Sequence, residues 1–102
     1  MSTKKPKYGL KELERDYGPL TFSRALEAYR LCEELPQKDF AKFLNISSAS
    51  LCDLEKGRRI PSPKRAAQIA RRLKEPESFW VQLALQDHLN EAGLDLKVSV
   101  AS

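Results

Sequence analysis

The sequence predicts an all-α fold, a compact bundle of five to six helices followed by a short C-terminal β-strand, and three observations predict it. Apolar residues recur at helical spacing through most of the chain. The prolines and glycines fall between those stretches or at their edges, where they stop or start helices. Only the last few residues switch to strict alternation.

Residues 1–8 are basic, contain Pro6 and show no apolar period, so they read as a flexible arm. Leu10, Leu13 and Tyr17 then mark a short helix that Gly18 and Pro19 stop. Thr21 caps the next helix, in which Phe22, Ala25, Leu26, Tyr29 and Cys32 share a face through Leu35, and Pro36 both closes it and starts its successor. In that successor Phe40, Ala41 and Leu44 form one face before Asn45, a residue that tolerates left-handed backbone angles. Ser47 caps a second short helix, Ser48 to Lys56, which buries Leu51 and Leu54 and stops at Gly57. Ser62 and Pro63 open another helix, with Ala66, Ile69, Ala70 and Leu73 as its stripe and Lys64, Arg65, Arg71 and Arg72 behind it.

The last helix, Glu77 to Ala92, is apolar around more than one face, and one core cannot use all of Phe79, Trp80, Val81, Leu83, Ala84, Leu85 and Leu89. Trp80 and Leu83 are therefore expected at a dimer or partner surface. Leu96, Val98 and Val100 alternate with Lys97, Ser99 and Ala101 beyond it, the period of a half-buried strand. A lone strand needs a second copy of the chain or another protein's sheet edge, so these three join the expected interface. The resulting organisation is a basic arm over 1–8, a helical domain over 9–93 whose most closely specified segment is 37–56, and a pairing tail over 94–102.

At 102 residues the chain is one domain, with little mass for a deep catalytic cleft. Its net charge of +4 biases it toward phosphate-bearing or acidic partners. No window is long and apolar enough for a membrane span, and the start Met-Ser-Thr-Lys-Lys-Pro-Lys leads into no signal-like apolar run. With two cysteines, Cys32 and Cys52, outside any metal-binding spacing, the expectation is a reducing, cytoplasmic setting and no metal or cofactor. His88 is the only histidine and has no nucleophile in a recognisable constellation, so it reads as a surface or interface residue and the chain as no enzyme. Cys32 reads as a small core residue, and Phe22, Phe40, Phe43 and Phe79 as core packing rather than platforms for single strands.

Gln37 to Lys56 meets the requirements of a helix-turn-helix: small Ala41 for the closest approach of two helices, Asn45 at the turn, and Phe40, Leu44, Ile46, Leu51 and Leu54 to pin the second helix. The stretch LPQKDFAKFLNISSASLCDLEKGRRIPSPKRAAQIARRL resembles the phage-repressor and XRE class of helix-turn-helix domain, a likeness that runs from Phe22 to Leu73 and implies a lambda-repressor-like fold. The flanking blocks PLTFSRALEAYR and WVQLALQDHLNEAG resemble XRE-type antitoxins, including the HigA kind. Pro36 stands where that family usually has a Ser or Thr cap, and Asn45 where it usually has Gly.

The resemblance implies roles residue by residue. Gln37 touches a DNA phosphate or is an ordinary exposed first-turn residue; Glu55 bonds locally and orients the loop. Ser48, Ala49, Cys52 and Asp53 face base edges, beside the cap Ser47. Asp53 either accepts from a cytosine amine or is merely solvated, with Arg58 as a possible neighbour. Lys56, Arg58, Arg59 and Lys64 are phosphate ligands. The function implied is a sequence-specific repressor of double-stranded DNA, a homodimer on two half-sites, and the antitoxin of a toxin–antitoxin pair repressing its own operon. Two alternatives stand beside it: a module that covers a toxin with weak or no DNA binding, and a stand-alone XRE-type regulator.

Overall fold

A computed structural model describes residues 20–101. Within them lie five helices, α1 (Phe22–Cys32), α2 (Gln37–Leu44), α3 (Ser48–Glu55), α4 (Pro63–Leu73) and α5 (Glu77–Glu91). The expected arm and the helix around Leu10 to Tyr17 lie outside the described residues.

Local signals set the helix starts. Thr21, Ser47 and Ser62 each accept a hydrogen bond from the backbone N–H three residues on, at Arg24, Ser50 and Arg65. Pro36 and Pro76 occupy the N-cap of α2 and α5 with extended backbone angles and no side-chain bond. The helix ends share one device: Glu34, Asn45, Gly57, Lys74 and Gly93 all take positive φ. Beyond each, the next N–H reaches back five residues, as from Leu35 to Arg30 O and from Ile46 to Ala41 O. This closure ends α1 at Cys32, three residues before the Leu35 that periodicity alone predicts.

The core gathers Phe22 and Leu26 of α1, Phe40 and Leu44 of α2, Leu51 and Leu54 of α3, Ile69 and Leu73 of α4, and Trp80, Leu83 and Ala84 of α5. α4 packs along α5, α3 against both α1 and α2, and α1 also meets α5. Trp80 stands edge-on to Phe22 with ring centroids 5.4 Å apart, and edge-on to Phe79 at 5.5 Å. Asp87 of α5 accepts from Phe22 N at 2.9 Å, so α5 caps the first turn of α1 by side chain.

Four expectations are corrected here. Trp80 and Leu83 are buried in the chain's own core, where α1 and α4 pack against α5 and Phe22 stands against Trp80, so neither side chain is free for a partner. Phe43 is exposed although it stacks on Phe40, and Cys32 is exposed at the end of α1. No β-strand forms over residues 94–101. The tail instead runs back along α5, where Gln86 Oε1 accepts from Val98 N at 2.8 Å and Gln82 Oε1 from Val100 N at 3.0 Å. Side-chain amides thus supply the acceptors that a neighbouring strand would have provided.

Asp87 carries a pH dependence. Burial raises its carboxyl above the usual range, against the lowering effects of the Phe22 N–H and His88. With the folded value above the unfolded one, this group favours the folded state below the unfolded pKa, and that contribution is lost as pH rises through the folded pKa. Asp87→Asn keeps an acceptor for Phe22 N–H without the charge. It should be more stable than the parent at pH 7 in urea titration, with the gap closing by about pH 3, where the parent carboxyl is protonated in both states.

Candidate nucleic-acid interface

The angle at which α3 leaves the bundle is set by one buried carboxylate. Glu55, at the last turn of α3, accepts from Arg30 Nε at 2.7 Å and from Gln37 Nε2 at 2.9 Å. Its side chain is 2% exposed and that of Arg30 12%. Arg30 also donates from Nη1 to Leu35 O at 3.0 Å, which fixes the link between α1 and α2. Bonding to Glu55 outweighs burial and raises the Arg30 guanidinium above its already high range. One carboxylate therefore ties together α1, the first residue of α2 and the end of α3.

The other end of α3 is polar and open. Ser47 accepts from Ser50 N at 3.0 Å and its hydroxyl lies 3.0 Å from that of Ser50. Ser48 and Ala49 are exposed, and Cys52 and Asp53 half-buried. Arg58 folds back onto this surface, with Nε 3.0 Å from Asp53 Oδ1 and Nη2 3.5 Å from Cys52 Sγ. The bond to Asp53, then that to Cys52, holds the guanidinium proton more tightly than usual. The backbone reinforces the arrangement, since Arg58 N and Arg59 N both donate to Asp53 O. Gly57, at φ 76°, makes the reversal possible and passes close to Ser23 of α1.

Basic side chains flank the helix. Lys56, Arg59 and Lys64 are exposed. Arg59 joins Ser50, Ser62 and Arg65 around an open cleft of about 370 Å³ between α3, the following loop and α4. The loop is held to α5 where His88 Nε2 meets Pro61 O at 2.9 Å. His88 therefore positions the loop.

Of the expected site residues, the fold brings Ser47, Ser48, Ala49, Cys52, Asp53, Lys56, Arg58 and Arg59 onto α3 and its two flanks. Lys64 lies in the first turn of α4, and the side-chain amide of Gln37 is taken by Glu55. Arg65 was legible as a neighbour of Ser62 in the first turn of α4, whereas no local signal pairs Arg30 with Glu55. Leu96, Val98 and Val100 lie on the tail beside α5, away from this cluster in sequence and held by Gln82 and Gln86.

Truncating Glu55 takes away the hydrogen-bonded partner of the largely covered Arg30 guanidinium and leaves only the weaker attraction of Glu27. Glu55→Ala should cost about 3 kcal/mol or more in urea unfolding. Glu55→Gln, which keeps acceptor geometry without the charge, should cost less; equal losses would show that acceptor geometry does not hold α3 and that the charge alone does.

A family model for helix-turn-helix domains matches residues 26–80, from the middle of α1 to the first turn of α5, with the Arg30–Glu55–Gln37 cluster and all of α3 inside it. No curated protein and no solved structure matches the chain significantly. Among the described residues no helix is long and apolar enough to cross a membrane. The chain belongs to the helix-turn-helix family of DNA-binding regulatory domains, of the XRE type.

Proposed function

We propose that the chain is a sequence-specific transcriptional repressor that binds double-stranded DNA as a homodimer, one α3 in the major groove of each half-site. The observation that carries this is the neutralised outward surface of α3. A bare carboxylate there would be repelled by phosphates, and Arg58 pairs with Asp53 at 3.0 Å. Short Ser48 and Ala49 then reach base edges, Ser as donor or acceptor and Ala against a thymine methyl, with Cys52 and Asp53 behind them. Lys56, Arg59, Lys64 and Arg65 take phosphates on either side, and Ser47 adds a hydroxyl. Gln37 contributes its backbone N–H at the start of α2, since its side chain is committed to Glu55.

Footprinting the purified chain on the DNA upstream of its gene, at several salt concentrations, tests this. Protection of two related half-sites about 10 base pairs apart is expected. A folded chain that protects nothing at low salt overturns the proposal. Arg59→Ala should weaken all sequences alike and lower the salt slope by about one. Arg58→Ala should weaken binding more, because it also leaves Asp53 unpaired, and Asp53→Asn in that background should recover part of the loss.

The finer role of antitoxin is supported by the resemblance of the flanking blocks, which overlap α1 and α5 in sequence. Co-expression with the neighbouring reading frame tests it. A toxic product that the chain neutralises and retains through purification is expected; a harmless product overturns the role and leaves a stand-alone regulator.

A further inference from the structure

Among the described residues, the tail beyond α5 is anchored along one edge. Gln86 Nε2 donates to Leu96 O at 2.7 Å, and Gln86 and Gln82 accept from Val98 N and Val100 N. Bonding at every second residue is the mark of an extended chain, whose successive residues send their N–H and C=O to opposite edges. The two glutamines suit it, since i,i+4 neighbours on a helix stand ~6 Å apart and two extended residues advance ~6.6 Å. The even-numbered backbone groups thus face α5. Those of Lys97 and Ser99 face outward and, among the described residues, make no backbone hydrogen bond.

An open edge of this kind is a template for a further strand. A two-stranded ribbon is marginal alone but gains support when packed on helices, and here each tail already lies on α5. On one face of the tail Leu96 is 57% exposed beside half-buried Val98 and Val100. On the other, Lys97 and Ser99 are exposed. The pattern Leu96-Lys97-Val98-Ser99-Val100 is symmetric about Val98, apolar residues matching apolar ones on either side.

We propose that this edge pairs with the same edge of a second copy of the chain, antiparallel, with Val98 opposite the partner's Val98. Charge and burial select that register from the ones that join the outer edges. Centring on Lys97 would set two like charges directly opposite. Centring on Ser99 would deprive Leu96 of an apolar partner. Centring on Val98 sets Leu96 against the partner's Val100 and Lys97 against the partner's Ser99, with one Asp95 and one Lys97 from each chain leaving the polar face electrically balanced. Self-complementarity of this kind is what a two-fold interface requires. The pairing rests on the proposed dimeric regulator in one respect, that it gives that dimer its two-fold axis.

The test uses the full chain carrying Cys32→Ser and Cys52→Ser, with Lys97→Cys, Val98→Cys or Ser99→Cys added singly and oxidised mildly. Residues opposite each other in a non-hydrogen-bonded pair stand ~4.5 Å apart, within disulfide reach. Val98→Cys should therefore give the covalent dimer fastest; faster cross-linking through position 97 or 99 overturns the register. Ser99→Pro removes an outward N–H and keeps all three inward bonds, and with two outward bonds lost per dimer it should weaken self-association about tenfold or more. A chain that sediments as a monomer at about 100 μM, well above the dissociation constants of specific dimers, overturns the pairing. So does a dimer indifferent to Ser99→Pro, or a tail that engages only a different protein. Cross-linking at Val98 together with an unsubstituted chain that protects no DNA ends the proposed function and leaves the pairing standing; two protected half-sites bound by a dimer indifferent to Ser99→Pro give the reverse.

Discussion

The fold depends on the carboxylate of Glu55, which is buried and yet fully answered. A buried ion pair adds little to stability over well-packed apolar residues, because desolvating both charges offsets their attraction. What it adds is direction. Leucines at positions 51 and 54 would hold α3 against the core at a range of angles, since apolar contact is non-directional. A carboxylate that must meet Arg30 Nε at 2.7 Å and Gln37 Nε2 at 2.9 Å admits few. The same guanidinium reaches Leu35 O, so the α1–α2 link, the start of α2 and the end of α3 are fixed by one network. That is a strong constraint for a small bundle whose helices are mostly two to three turns long.

Short helices have little propensity to form alone, so their ends must be specified as firmly as their faces. Three hydroxyl caps and five left-handed closures do this. Glycine supplies the closure at positions 57 and 93 without steric penalty, and asparagine tolerates it at 45. Glu34 and Lys74 adopt it at a cost of about 1 kcal/mol each. The cost is borne where Pro36 and Pro76 follow two residues later and forbid the helix to continue.

These features explain what could be read in the sequence. Thr21, Ser47, Ser62 and Asn45 act on their immediate neighbours, so the starts of the helices and the turn of the motif were legible from residue type alone. The end of α1 was not, because Glu34 is a poor signal for a left-handed closure. Trp80 and Leu83 depart from expectation for a different reason: an all-round apolar helix has unused faces only if nothing in the same chain covers them, and periodicity does not reveal that α5 returns to α1. The tail alternates in sequence, but alternation does not tell a paired strand from a segment bonded to Gln82 and Gln86. The candidate site was legible in membership and not in wiring, since the bonds of Arg30 and Gln37 to Glu55 join residues far apart in sequence, and that of Arg58 to Asp53 depends on the reversal at Gly57.

The wiring bears on how such a domain discriminates among DNA sequences under the proposed function. A bidentate side chain on a base is worth ~1–3 kcal/mol against the wrong base, and α3 presents no arginine, glutamine or asparagine to make one. Its only long reach is through Arg58, which is held by Asp53. Discrimination then falls to Ser48, Ala49 and the Asp53–Arg58 pair as a unit, together with the cost of deforming the duplex to fit the basic rim of Lys56, Arg59, Lys64 and Arg65. Each half-site alone is weakly specified. Joining two in one dimer makes the second binding event intramolecular, so that the spacing between half-sites becomes part of what is recognised. A recognition helix of short side chains is therefore workable to the extent that the dimer is rigid, and rigidity is what the Glu55 network supplies within each copy.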